Sequence, residues 1–123
     1  MSLRDVIQQN VDHHFPKKLV SIDEWKTEEG KIVEVELRAM SQKDIEEVAQ
    51  GKKVKKGEDD FMFMCRALVR TMHDPGTGER IYDVGPKEVD IVARYPAGLV
   101  KRLYGDVSEL SGLGETTEET GKN

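Results

Sequence analysis

Cysteine is nearly absent from this 123-residue chain, and long apolar runs are absent altogether. A single cysteine, Cys65, cannot form an intramolecular disulfide or a cysteine-based metal site. No run of about 18 apolar residues exists, so we expect no membrane-spanning helix. The N-terminal residues also lack the apolar stretch of a secretory signal. These absences favour a reducing, cytoplasmic setting.

Aromatic residues and an excess of basic charge are also scarce. Aromatics make up 6% of the chain, and 24 acidic residues outnumber 19 basic ones. A nucleic-acid-binding domain usually presents a basic face, so nucleic acid is disfavoured as a partner. Charged residues make up 35% of the chain, against about 25% in an average domain. The length allows one domain, with a modest core under a highly charged surface.

The first seventeen residues have helical spacing and few apolar anchors. Apolar side chains recur with the period of a helix over 3–13, and proline follows soon after, at Pro16. The apolar stripe consists of Leu3, Val6, Ile7 and Val11. We therefore treat 1–17 as a helical segment of its own, which is mobile or docks on a partner.

A β-hairpin is predicted over about 19–38. Apolar and charged residues alternate from Ile32 to Arg38, which is the period of a half-buried strand. Residues 19–26 supply a partner strand, and Gly30 suits the turn. The competing interpretation is a short helix that begins at Ser21, with Glu24 completing a capping box.

Four helices are predicted after the hairpin. The first begins at Ser41, with Asp44 as its capping partner, and ends at Gly51. The second is the most apolar and the candidate core helix, with Asp59 and Asp60 in its first turn. One of its faces carries Phe61, Cys65, Leu68 and Met72.

The third and fourth predicted helices are separated by a proline. Pro86 suits the first position of the third helix, and Tyr95-Pro96 separates it from the fourth. Gly112 fits the left-handed position that ends the fourth helix. The tail 115–123 has no apolar residue, and we expect it to be disordered. The fold class predicted is α+β and predominantly helical, with the hairpin followed by a small bundle of four helices.

Three segments were compared with known ligand-binding motifs, and none has the residue spacing that its motif requires. The basic loop Gly51–Gly57 lacks the Gly-Lys-Ser/Thr end of a phosphate-binding loop. His13 and His14 are adjacent, so they do not share a helix face as metal ligands would. The turn Asp74–Glu79 does not place oxygens at the alternating positions of a calcium loop. We therefore predict no catalytic, cofactor-binding or metal-binding residues, and no enzyme.

The order of short motifs resembles one known family. A strand pair leads into Arg38-Ala-Met-Ser41, and an apolar helix leads into Asp74 and then Glu79-Arg-Ile-Tyr-Asp83. The last helix closes with Leu110-Ser-Gly-Leu113 before an acidic tail. Over about 18–114, this order resembles the tail assembly chaperones of long-tailed bacteriophages and prophages. Residues 1–17 match no element of that family.

The resemblance implies a non-enzymatic protein without cofactors. Such chaperones are thought to bind the aggregation-prone tape measure protein and to keep it soluble until tail-tube subunits polymerise around it. The expected partners are thus the tape measure protein and, through a longer frameshifted form, the tail tube protein. The expected location is the cytoplasm of the bacterial host, and the protein is expected to be absent from the mature virion.

Aromatic side chains are the candidate anchors for such a partner, because aromatic residues are enriched at interaction hot spots. The candidates are Trp25, Tyr82, Tyr95 and Tyr104. For Trp25, a place in the core is favoured over a place at an interface. The alternative function is a small phage regulatory or nucleic-acid-associated protein that uses Lys52–Lys56 against phosphates, and a small enzyme ranks third.

Overall fold

A computed structural model describes residues 1–49 and 61–113, and it confirms the α+β class. Within these ranges there are five helices and a three-stranded antiparallel sheet. In chain order they are α1 (Leu3–His14), β1 (Lys17–Lys26), β2 (Ile32–Arg38), α2 (Gln42–Ala49), α3 (Phe61–Thr71), β3 (Met72–His73), α4 (Pro86–Ala93) and α5 (Ala97–Leu110). The predicted basic loop with Lys52–Lys56, the capping acids Asp59 and Asp60, and the tail 115–123 lie outside the described residues.

The predicted hairpin is confirmed, and the alternative of a short helix at Ser21 is wrong. Strands β1 and β2 pair antiparallel, with Val20 opposite Val35. In the turn, the Thr27 N–H donates to the Lys31 carbonyl at 2.7 Å, and Gly30 takes a φ of +85°. That left-handed conformation carries little cost for glycine. The alternation of apolar and charged residues from Ile32 to Arg38 therefore predicted β2 correctly.

A bulge interrupts β1 near its end. Ile22 lies opposite Val33 and Lys26 opposite Ile32, so that residues 23–25 have no partner on β2. Bulges bend a strand and redirect its side chains. Here the Trp25 side chain packs half-buried against the core.

The third strand was not predicted. Met72 belongs to the helical stripe by spacing, yet α3 ends at Thr71 and Met72 lies opposite Leu37 in β3. The Thr71 hydroxyl donates to the Ala67 carbonyl at 2.8 Å within the last turn. Beyond β3 the chain turns back, and the Ile81 N–H donates to the Met72 carbonyl at 3.0 Å. Met72 is buried all the same, because the sheet and α3 contribute to one core.

The core lies around α3, as predicted for the most apolar helix. α3 contacts α2, α4, α5 and β2, and α5 packs beneath β2. Fully buried side chains from these elements include Ile22, Leu37, Cys65, Leu68, Leu103 and Val107. Among the described residues, no helix has the length and apolarity needed to cross a membrane.

Two helix ends have the predicted capping. The Asp44 N–H donates to the Ser41 hydroxyl at 3.1 Å, and the Ser41 N–H donates to the Asp44 carboxylate at 3.0 Å. This reciprocal pair is a capping box at the start of α2. After α5, the N–H of Gly112 donates to the Glu109 carbonyl and that of Leu113 to the Ser108 carbonyl. With Gly112 at a φ of +78°, this is a Schellman motif.

Candidate functional site

Three of the four predicted anchors form one aromatic cluster. The rings of Trp25 and Tyr95 meet edge to face, with centroids 5.0 Å apart and planes at 83°. The hydroxyl oxygens of Tyr82 and Tyr95 are 2.7 Å apart and share a hydrogen bond. The cluster joins the β1 bulge, the segment before α4 and the turn between α4 and α5. Aromatic pairs of this geometry stabilise a fold beyond the area that they bury.

The Tyr95 hydroxyl is held in its neutral form. Burial raises the pKa of Tyr95 far above its usual range, and the hydrogen bond with Tyr82 raises it further. A phenol that keeps its proton in this way can donate a hydrogen bond but cannot act as a base near neutral pH. The aromatic cluster is thus a packing unit with one internal polar contact.

Tyr104, the fourth predicted anchor, lies apart from this cluster. Its ring meets that of Phe63 edge to face, with centroids 6.0 Å apart. All four predicted anchors are half-buried and pack against the core. Their use by a partner stays a prediction.

An apolar groove, which spacing in the sequence did not reveal, opens between α2, α3 and the start of α4. It has a volume of about 400 Å³ and an apolar lining from three elements and one loop. We call it the α3–α4 groove, and its apolar lining consists of Val48, Met62, Val69, Val84, Pro86 and Val89. Met62 and Val84 are 41% and 44% exposed, so apolar surface faces solvent here.

Charged side chains fix the rim of the α3–α4 groove. The Arg70 guanidinium contacts the Glu47 carboxylate at 2.8 Å and the Asp44 carboxylate at 3.6 Å. The Arg66 side chain donates to the Val48 carbonyl at 2.7 Å, near the end of α2. These contacts connect α3 to α2 at several points. The ion pairs and the hydrogen bond therefore hold the charged side chains of the rim in place.

A second apolar surface lies on α1. None of its residues is buried, and its predicted stripe of Leu3, Val6, Ile7 and Val11 is exposed along its whole length. Ser2 caps this helix, since its hydroxyl accepts from the Asp5 N–H at 3.2 Å. An amphipathic helix normally covers such a stripe by packing it on another element. Here the stripe faces solvent.

The outer face of the sheet carries a compact charged cluster around His73. The Arg38 guanidinium contacts Glu36 at 2.6 Å and donates to the Gly78 carbonyl at 3.0 Å. The His73 Nδ1 lies 2.8 Å from the Thr71 carbonyl, which can only accept, so Nδ1 carries the proton. Burial lowers the pKa of His73, and this effect outweighs the hydrogen bond to the Thr71 carbonyl, which raises it. The environment thus favours the neutral imidazole.

Among the described residues, the Thr71 carbonyl is the hydrogen-bond partner of the His73 ring. In the part of the chain that the structure describes, no serine or cysteine side chain forms a hydrogen bond to His73, and Cys65 is buried in the core. Among residues 1–49 and 61–113, no group of three or more His, Cys, Asp or Glu side chains has the arrangement of a metal site. The Arg38 contacts instead fasten the turn 74–78 against the sheet.

Comparisons of this chain with protein-family models, curated proteins and solved structures give no match.

Proposed function

We propose that this chain is a non-enzymatic phage tail assembly chaperone that binds the tape measure protein and keeps it soluble during tail assembly. Two independent observations support the proposal. The first is the ordered set of sequence motifs over about 18–114. The second, which carries the structural argument, is the α3–α4 groove with its exposed apolar lining and charged rim.

The shape and chemistry of the groove suit one face of an amphipathic helix. Helix-in-groove recognition places apolar side chains at i, i+3, i+4 and i+7 into a hydrophobic groove. A volume of about 400 Å³ accommodates such side chains from a turn or two, while the helix backbone stays outside. Met62 is well suited to this task, because methionine adapts its shape to different apolar partners. A chaperone of a long helical protein needs this tolerance, since it meets many similar turns.

The charged surface suits a protein that keeps another chain in solution. The net charge of −5 and the ion-paired rim leave a complex with polar outer surfaces. The proposal places the protein in the cytoplasm of a bacterial host and outside the finished virion. It also allows a contact with the tail tube protein.

Co-expression with the tape measure protein of the same phage or prophage tests this function. We expect the tape measure protein to shift from the insoluble to the soluble fraction and to co-purify with this chain. A tape measure protein that stays insoluble, or purifies alone, would contradict the proposal.

A pair of variants tests whether the α3–α4 groove is the binding surface. Met62→Glu places a carboxylate in the groove and should lower the recovery of the complex at least roughly tenfold, because burying an unpaired charge is costly. Ile91→Glu is the matched control, since Ile91 is 40% exposed and Met62 is 41% exposed, both on helices. Both variants should keep the wild-type melting temperature within a few degrees. Equal losses in the two variants would show that the groove is not the contact surface.

A further inference from the structure

The sheet has one open edge in the described part of the chain. The strand order is β1-β2-β3, and the segment that follows β3 returns alongside it, with Asp74 N–H donating to the Glu79 carbonyl at 2.8 Å. That segment covers the β3 edge. No backbone group among the described residues bonds to the outer side of β1. Proteins usually cover or blunt an edge strand, because it is a template for pairing with another chain.

The hydrogen-bond pattern shows which residues of β1 offer free groups. The Lys31 carbonyl accepts from Thr27 and therefore points toward β1. In an antiparallel pair this direction alternates, so the backbone groups of Val33, Val35 and Leu37 also point toward β1. Those of their partners Ile22, Val20 and Lys18 point back toward β2. The outward N–H and C=O groups in the regular part of β1 are thus those of Lys17, Leu19 and Ser21.

The charges of β1 are divided along its length. Lys17 and Lys18 stand at its start, Asp23 and Glu24 follow Ile22, and a further cation, Lys26, is its last residue. Two β1 strands that run antiparallel would place the basic start of each beside the acidic pair of the other. Parallel pairing would place like charges together, which is unfavourable between neighbouring strands.

Two of these charged side chains, Lys17 and Asp23, form no ion pair with any described residue. Lys17 lies opposite Arg38, a second cation, and Arg38 is already paired with Glu36. Asp23 lies in the bulge without a partner on β2. By contrast, Lys18 pairs with Asp106 at 3.2 Å and Glu24 with Arg102 at 3.3 Å on α5. Lys17 and Asp23 are the charges that a second copy would satisfy.

We propose that two copies of this chain associate through β1, antiparallel about a two-fold axis at Val20, to form a continuous six-stranded sheet. In this register Leu19 lies opposite Ser21 of the second copy, and their free backbone groups exchange hydrogen bonds. Lys17 lies opposite Asp23 of the second copy, on both sides of the axis. The regular part of β1, before the bulge, supplies the backbone pairing.

The dimer should be weak. An interface made by one strand pair lies at the small end of specific protein contacts, below about 1,200 Å². The lysines and the bulge of β1 also deter pairing with strands of unrelated charge pattern. The chain should therefore show a concentration-dependent exchange between monomer and dimer, without growth into larger species. This proposal is independent of the proposed function, because it requires no tape measure protein.

Sedimentation velocity of the purified full chain over a wide concentration range tests the dimer. Lys17→Glu alone and Asp23→Lys alone each place like charges across the axis, and each should weaken dimerisation roughly tenfold. An equal mixture of these two variants should restore it, since the carboxylate introduced at position 17 of one copy then faces the ammonium introduced at position 23 of the other. Substitutions at these exposed sites leave the ion pairs of Lys18 and Glu24 in place. A mixture no better than the single variants would overturn the charge register.

A backbone variant gives a second, independent test. Ser21→Pro removes an outward N–H and leaves the β1–β2 ladder intact, because proline is tolerated on edge strands. It should abolish the dimer while keeping a cooperative melting transition, and Ser21→Thr should retain the dimer. Wild-type chain that stays monomeric at every concentration, or a dimer that survives Ser21→Pro, would show the proposal to be wrong. A monomeric wild type whose capture of the tape measure protein is lost in Ser21→Pro would assign the edge to that partner instead.

Discussion

Tyr95 has the most constrained environment of the predicted anchor residues, because it touches Trp25 with its ring and Tyr82 with its hydroxyl. The sequence identified these side chains by type, as large and amphipathic. It could not predict that they meet, since Trp25 and Tyr95 are far apart in the chain and no periodicity links a bulge to a turn between helices. The α3–α4 groove was missed for a similar reason: its lining combines positions from three helices and a loop.

The pKa of Tyr95 predicts a specific pH dependence. Because burial raises this pKa in the folded chain, its stabilising effect is complete below about pH 10, the ordinary pKa of tyrosine. Above that pH the unfolded chain loses the proton first, and the stabilisation declines. Tyr95→Phe should cost about 1 kcal/mol at neutral pH through the lost hydrogen bond. The gap in melting temperature between wild type and Tyr95→Phe should narrow above about pH 10.

Thermal melts of the two proteins at neutral pH and at increasing alkaline pH measure this gap. The comparison isolates Tyr95, since every other titrating group is present in both proteins. A constant gap across the alkaline range would contradict a raised pKa at this site.

Short-range sequence patterns predicted the helices and the hairpin correctly. The features that they missed, β3 and the β1 bulge, depend on pairing between residues far apart in the chain. The capping box of Ser41 and Asp44 and the Schellman motif at Gly112 are short-range patterns, and both were predicted correctly. β3 was missed because its two residues become a strand only by pairing with Glu36 and Leu37. The β1 bulge has the same origin, since it is defined by the register of β2 and not by β1 alone.

Two glycines, one inside α5 and one at its C-terminal cap, provide a matched test at the scale of an element. Gly112 has a φ of +78°, and an added Cβ there would meet no atom within 4 Å. Gly112→Ala should therefore destabilise by about 1 kcal/mol through backbone strain alone. Gly105 lies inside α5 and also has open space around an added Cβ. Gly105→Ala should stabilise by about 0.5–1 kcal/mol, because alanine is the better helix former.

Chemical denaturation of the two variants beside the wild type gives both free energies of unfolding. The opposite signs are the critical result, because the two substitutions add the same methyl group. If both variants shifted stability in the same direction, the left-handed cap at Gly112 would be in doubt.

At the scale of the whole molecule, packing separates α1 from the rest. The remaining four helices and the sheet share one cluster of buried residues, from Ile22 to Val107, and α1 contributes nothing to it. The few apolar anchors of 1–17 predict a segment separate from a domain over 18–114, and that division stays a prediction. The backbone boundary lies near Pro16, since its carbonyl accepts from the Ala39 N–H at 2.9 Å beside the end of β2. Residues before Phe15 form no such bond to the sheet.

Removal of residues 1–14 should therefore leave a folded domain, because no buried side chain is lost. We expect a single cooperative transition and a melting temperature within a few degrees of the full chain. The comparison truncation removes 1–18, which also eliminates the Pro16 carbonyl and the Lys18–Asp106 ion pair, and should lower stability further. A large loss on removing 1–14 alone would show that α1 supports the core. If the shorter cut is neutral for folding but reduces recovery of the tape measure protein, the exposed stripe of α1 belongs to the partner-binding surface.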